Sequence, residues 1–194
     1  MAISYPVNVP SGNAIKSISF RAQNAVAYSR SPFTYKGQAH AYAGEMWEVD
    51  VTLKPMPETE AENWSAFLTS LRGQFGTFYL GDPFRYSPRG TATSATITGA
   101  AGDRSVTVAM TGTMKVGQYF SLGSGTSTRL YKVLAEQNND GTLEIWPSLR
   151  AAASTASATL TSPIGTFRLT SNFANWTVNN LAHYGITFGA MEAL

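Results

Sequence analysis

One short motif is written twice in this chain, and it limits what the chain can fold into. Gly-Thr-Phe-Tyr-Leu stands at Gly76–Leu80 and Gly-Thr-Phe-Arg-Leu at Gly165–Leu169. A strand of this kind, repeated after a long Gly-, Ser- and Thr-rich interval, fits either a tandem repeat or an excursion. A tandem repeat requires a second copy of what precedes the first motif, and no helical pattern precedes Gly165. An excursion requires that the chain leave a sheet on one strand and return on a matching one. Domain insertion of this type succeeds where two chain ends lie close together, as on neighbouring strands. The expected division is therefore a parent domain over 1–83 plus 164–194, interrupted by a peripheral β module over 84–163.

Within the parent segments the periodicity is clear. In "MWEVDVTL", Trp47, Val49, Val51 and Leu53 point one way, and Glu48, Asp50 and Thr52 point the other. That alternation predicts a strand with one buried face. "AIKSISFRA" alternates in part, with Ile18 and Phe20 on one side. Aromatic-rich arms around Lys36-Gly37 predict a hairpin over about 24–46. Pro57, followed by Glu58, Glu60 and Glu62, marks a helix start, because proline fits the first turn and the helix dipole favours negative charge there. Ala61, Trp64, Leu68 and Leu71 recur at three- and four-residue spacing. They predict an amphipathic helix over 57–72, with Arg72 in its last turn and Gly73 as a left-handed cap. Trp64, Leu68 and Leu71 are expected to pack on the face carrying Trp47, Val49 and Val51. Residues 1–13, rich in proline and asparagine, read as an extended arm, and Tyr184, Ile186 and Phe188 share a face of a closing strand.

The interval reads as about five short strands. Ile97 and the alternating Val106, Val108 and Met110 flank a Gly-Ala-Ala-Gly-Asp turn, and Asn139-Asp140-Gly141 predicts a hairpin turn. "RAAASTASATLTSP" reads as a low-hydrophobicity return. The module is long enough for a small OB-like barrel. The fold class expected is mainly β: a β-sandwich with one amphipathic helix, interrupted by that barrel.

Composition narrows the chemistry. Charged residues make up 13% of the chain, against about 25% in an average domain. Gly, Ser, Thr and Ala take their place, which suits strands and surface buried between subunits. There is no cysteine, so disulfides and thiolate metal sites are excluded. A formal net charge of +2 gives no argument for nucleic acid or an anionic membrane. No run of about 18 apolar residues predicts a membrane helix, and the first residues lack the basic-then-apolar pattern of a secretory signal. His40 and His183 stand in no metal-ligand spacing. Glu58, Glu60 and Glu62 are explained by the helix start. "GSGTS" lacks the strand–elbow–helix setting of a serine nucleophile and the helix and lysine of a phosphate loop. No catalytic residue, cofactor or metal is expected, and a hydrolase lacks its polar triad or carboxylate pair. Tyr119, Phe120, Tyr131 and Trp146 are the module's candidate aromatics for a flat sugar- or receptor-binding platform.

The ordered set of segments resembles the distal-tail and minor-tail proteins of long-tailed bacteriophages, including the lambda-type minor tail protein M group. The residues that carry the resemblance are Glu60, Ala61, Trp64, Phe67, Leu68, Gly73 and Phe75 in the helix–turn–strand, and Tyr184, Ile186, Phe188 and Glu192 at the close. It covers about 45–83 and 165–194; the interval matches in texture only. The resemblance implies a non-enzymatic virion protein at the distal end of the tail, assembled in the host cytoplasm. It implies a ring, usually hexameric, at the tail tip or baseplate, joining the tail tube protein to the tail hub protein. A central passage would hold the tape measure protein and then DNA. The implied partners are thus the chain itself and those tail proteins, with no membrane, and the N-terminal arm and the 24–46 hairpin are candidates to cross to a neighbour. A carbohydrate- or receptor-binding module of a phage tail is the alternative reading.

Overall fold

The computed structural model describes residues 3–10, 12–178 and 183–194. Of the N-terminal arm, residues 1, 2 and 11 lie outside the described residues. The fold is mainly β, with one α-helix among the described residues. In chain order the strands before the helix are β1 (Val7–Asn8), β2 (Ile15–Arg30) and β3 (Gly37–Leu53). The helix, α1, spans Glu58–Ser70, and β4 (Phe78–Gly81) follows. Then come β5 (Ala95–Gly99), β6 (Ser105–Met110), β7 (Thr113–Met114), β8 (Tyr119–Leu122) and β9 (Arg129–Val133). The rest are β10 (Gln137–Asn138), β11 (Gly141–Trp146), β12 (Ala153–Ala158), β13 (Ile164–Leu169), β14 (Trp176–Val178) and β15 (Tyr184–Glu192).

The two Gly-Thr-Phe strands are neighbours: β4 and β13 pair antiparallel, with Phe78 opposite Phe167. They belong to a sheet ordered β1-β4-β13-β15-β3-β2, with β14 joined to β15. The intervening strands form a second sheet ordered β12-β5-β6-β11-β9-β8. Its first and last strands meet at Ser121 and Thr159, whose backbones exchange hydrogen bonds of 3.0 and 2.9 Å, so this sheet is a nearly closed barrel. β7 and β10 form a separate two-stranded pair.

The barrel's sixth strand is the one that the sequence pattern concealed. β12 has the sequence Ala-Ser-Thr-Ala-Ser-Ala, too uniform in size and polarity to show a period of two. It lies beside β5 and next to β8, where its small side chains suit the narrow closing seam. Three local expectations are also corrected. Helix α1 ends at Ser70, with Pro57 as its N-cap and Leu71 as its C-cap, so Arg72 is not in the last turn. Arg72 and Gly73 both take left-handed backbone, φ 52° and 67°. A Cβ at Gly73 would stand 2.8 Å from the Asn172 backbone, so the turn needs glycine there. The β2–β3 turn is Ser31–Lys36, closed by a Ser31 N–H to Lys36 carbonyl bond of 3.0 Å, and Tyr35 rather than Gly37 carries positive φ. Asn139-Asp140-Gly141 joins β10 to β11 and does not make a simple hairpin between two barrel strands.

Tyr5 and β1, within the described part of the N-terminal arm, lie against their own sheet. β1 adds a short parallel strand to the edge of its own sheet at β4. Tyr5 donates its hydroxyl to the Ser70 carbonyl at 2.6 Å and packs edge-on against Phe75.

The core of the first sheet follows the alternation in β3. Trp47, Val49, Val51 and Leu53 are buried, and the register sets Phe20 opposite Val49 and Phe188 opposite Val51 on the same face. One helix and one barrel share that face. Helix α1 covers one end, with Trp64 against Phe188 and Phe67 against Phe78; Leu68 and Leu71 are buried beside them. The barrel covers the other, through Tyr119, Leu130 and Trp146. Trp64 is 1% exposed. Its replacement by alanine therefore leaves a large void, and Trp64→Ala is expected to lower unfolding free energy by about 3–5 kcal/mol in denaturant titration. A loss under about 1 kcal/mol would mean that the helix stripe does not pack on the sheet.

Candidate assembly surface and the seam that orients it

Beyond the core, β2 and β3 continue together as a two-stranded ribbon. Pairing runs from Ile15–Leu53 to Arg30–Gly37, and residues 21–44 are exposed apart from half-buried Ser31. At about 3.3 Å per residue, the eight residues after Ala22 carry it roughly 25 Å outward. The two faces differ. Val26, Tyr28, Ala39 and Ala41 share one, since Val26 faces Ala41 and Tyr28 faces Ala39. Ala27, Ser29, Gln38 and His40 share the other, with His40 edge-on to Tyr42 at 4.8 Å. Tyr28 lies over Gly37 and Arg30 lies over the Tyr35 ring at 4.4 Å, so the tip is ordered by its own side chains. β2 is the last strand of its sheet, and β3 pairs with β15 no further out than Glu48. Both ribbon edges are therefore open along the projection. A two-stranded ribbon has marginal stability in water, and an open edge invites another strand.

The ribbon leaves the core at a seam between the sheet and the barrel. Two carboxylates on the inward, otherwise apolar face are held there. Glu45 accepts the Ser148 backbone N–H at 2.6 Å and pairs with Arg104 at 2.7 Å. Glu192 pairs with Arg150 at 2.7 Å and accepts the Trp47 backbone N–H at 3.3 Å. Arg150 also donates to the Glu45 carbonyl at 2.6 Å, so one guanidinium joins both acids' strands. Between them Trp47 donates its indole N–H to the Leu130 carbonyl at 2.9 Å and meets Trp146 edge-on at 4.3 Å. The Trp146 indole in turn donates to Asn24 at the ribbon base, 2.9 Å.

Burial pushes the Glu45 carboxyl up, but the Ser148 hydrogen bonds and the charge and hydrogen bond of Arg104 outweigh it. The carboxyl titrates below its ordinary range. The Arg104 side chain is 54% exposed, so solvent screens its charge and the Ser148 contact carries more of the effect.

The four barrel aromatics divide by strand alternation. Tyr119 faces the first sheet, near Phe20 and Trp47, whereas Phe120 and Tyr131 stack inside the barrel with ring centres 5.4 Å apart. Trp146 is half-buried at the seam. Tyr119, Phe120 and Tyr131 are buried, so these rings do not make the open platform that a sugar-binding surface needs. Glu192 was visible in the sequence only through the resemblance. Glu45 had a direct signal, since it continues the inward parity of Trp47, Val49 and Val51 as a charge on an apolar face. Arg104 and Arg150 sit beyond strand ends with no periodic cue.

Among the described residues, no group of three or more His, Asp or Glu is placed to hold a metal ion, and no helix is long and apolar enough to cross a membrane. A recess of about 490 Å³ beside the helix start is lined by Asn13, Lys54, Glu60 and Asn63, but Lys54 is engaged with the Asn13 carbonyl at 2.7 Å. The fold and surface define a β-sheet and barrel protein with a protruding ribbon. No protein-family model matches the sequence, and no curated protein matches it.

The seam yields a pH-dependent expectation. A carboxyl whose folded pKa lies below its unfolded value adds stability above the unfolded value and loses it as pH falls through the folded one. Glu45→Gln should cost roughly 1–3 kcal/mol at neutral pH. The difference from the parent should shrink as pH drops below about 4.3, the ordinary glutamate value. Urea unfolding of both proteins between neutral and acid pH checks this; a difference that stays constant would detach Glu45 from the acid response.

Proposed function

We propose that this chain is a ring-forming structural protein of a bacteriophage tail tip, joining the tail tube to the hub. The observation that carries the reading is the ribbon: a long, two-sided, open-edged β-hairpin whose base is tied to the barrel by an ionic seam. Such a ribbon is stabilised when the free edge of β2 in one copy pairs with the free edge of β3 in the next. That contact is head-to-tail, and it closes into a ring when the rotation between copies permits. The apolar face with Val26 and Tyr28 then packs against neighbouring copies or the tube. The polar face with Ser29, Gln38 and His40 faces the passage that the tape measure and DNA would cross. The resemblance of 45–83 and 165–194 to distal-tail and minor-tail proteins supports the same reading and suggests a hexamer. It would place the protein in the virion after assembly in the host cytoplasm. Within one chain, Tyr5 and β1 of the N-terminal arm lie on their own sheet, which favours the ribbon as the crossing element. Nor do buried Tyr119, Phe120 and Tyr131 favour a carbohydrate-binding role.

Native mass spectrometry and negative-stain microscopy of the purified chain are expected to show a closed ring. Val26→Asp with Tyr28→Asp should abolish the ring while leaving thermal unfolding of the protomer nearly unchanged, because both side chains are exposed. A chain that stays monomeric at high concentration and in mature particles, or a ring untouched by the double substitution, would contradict the proposal.

A further inference from the structure

Three cationic side chains converge at the foot of the barrel, on the surface of Gly117 and Tyr119. Arg85 and Arg89 come from the loop that leads from β4 into the barrel, and Lys132 comes from β9. The Arg85 guanidinium lies 6.0 Å from the centre of the Tyr119 ring and the Lys132 ammonium 5.2 Å from it. A Cβ built on Gly117 would stand 2.9 Å from Arg89 Nη1, so glycine leaves room for that guanidinium, and 3.8 Å from Lys132 Cε, an ordinary contact that places Lys132 beside it. Gly117 also has φ 76°, a left-handed turn that a larger residue would strain.

Both guanidiniums have backbone acceptors. Arg85 donates to the Gly117 carbonyl at 3.4 Å and pairs with Asp82 at 3.3 Å. Arg89 donates to the Val116 carbonyl at 2.7 Å. Each keeps further N–H groups beyond those bonds. Asp82 is the acid paired there, so the cluster carries two net positive charges. Burial first, and then the charges of Arg85 and Arg89, lower the Lys132 pKa, against Asp82.

We infer that Arg85, Arg89 and Lys132 form a binding site for a phosphate group. Like charges held together by backbone anchors raise the energy of the empty site, and an anion lowers it. Phosphate is favoured over carboxylate by geometry. The cations approach from two separate chain segments around a glycine, and a tetrahedral group offers three or four oxygens to them, whereas a carboxylate offers two in one plane. Arginine forks and a lysine point charge are the side chains suited to such oxygens. The phosphate could belong to a monoester or to a diester chain, and the charge difference between these separates them.

Isothermal titration of the full chain at low ionic strength tests the site with inorganic phosphate, dimethyl phosphate and acetate. One phosphate per chain is expected, with acetate much weaker. Arg89→Ala and Lys132→Met should each weaken phosphate binding roughly tenfold, with melting temperatures recorded to show that the variants fold. Arg21→Ala, an exposed arginine paired with Asp50 on the first sheet, should change nothing. Tighter binding of inorganic phosphate than of dimethyl phosphate assigns a monoester, and equal binding assigns a diester. The inference is overturned if phosphate shows no saturable binding at millimolar concentration, or if acetate matches it. It is equally overturned if folded Arg89→Ala and Lys132→Met bind as the parent does, or if Arg21→Ala weakens binding as much as they do.

Discussion

The indole of Trp47 joins sheet to barrel at the point where the ribbon leaves the core. It stands where β3 stops being the middle of a sheet and starts to become a free ribbon. Its N–H satisfies the Leu130 carbonyl of the barrel, and its ring lies against Trp146 and Tyr119. A buried carbonyl left without a donor costs on the order of 1–3 kcal/mol. The barrel can therefore approach the sheet closely only because an indole is present at that point. The flanking acids extend the same logic. Glu45 and Glu192 sit on an apolar face, where an unpaired charge would be severely destabilising, and each is matched by an arginine from the barrel. Removing one partner is costly in a way that replacing the whole set by hydrocarbon need not be. These pairs thus argue for a fixed orientation more than for added stability.

That orientation has consequences on both sides of the joint. Outward, the Trp146 indole ties the base of the ribbon to the barrel through Asn24. Inward, the barrel acts as the second layer over half of the sheet, while helix α1 acts as the second layer over the rest. The interval between the Gly-Thr-Phe strands is inserted in the chain, yet it completes the core of the segments around it. On the opposite face of the sheet, Arg21, Glu48 and Asp50 form an exposed ionic cluster, which keeps that side soluble and adds little stability.

Much of this was legible in the residues. Strand β3 and helix α1 announced themselves because burial of one face imposes a period, and the buried Trp47, Val49, Val51, Trp64, Leu68 and Leu71 all stand on that pattern. The Gly-Thr-Phe repeat pointed to adjacent strands because matching strands must meet for the chain to resume its sheet. What was hidden had no period to display. β12 is made of small residues, and the positive φ of the hairpin turn fell on Tyr35, which lacks the composition of a turn residue. The fate of the N-terminal arm depends on a free edge at β4, and a sequence does not mark edges. The barrel aromatics could be counted but not assigned to faces, because both faces of β8 are buried. The ribbon was readable as a hairpin, but its length beyond the core depends on where β15 stops pairing with β3.

The central claim is that sheet and barrel are one cooperative unit, so that the ribbon is held rigidly relative to the core. Native-state amide hydrogen exchange tests it most directly. The Ser148 amide bonds to Glu45, and the Thr166 amide bonds across the joint to the Thr128 carbonyl at 3.0 Å. If the unit is cooperative, both amides exchange only on global unfolding, as slowly as Val51 in the middle of the sheet. If they exchange orders of magnitude faster while Val51 and Ile145 stay protected, the barrel opens away from the sheet on its own, and the account of the seam is wrong.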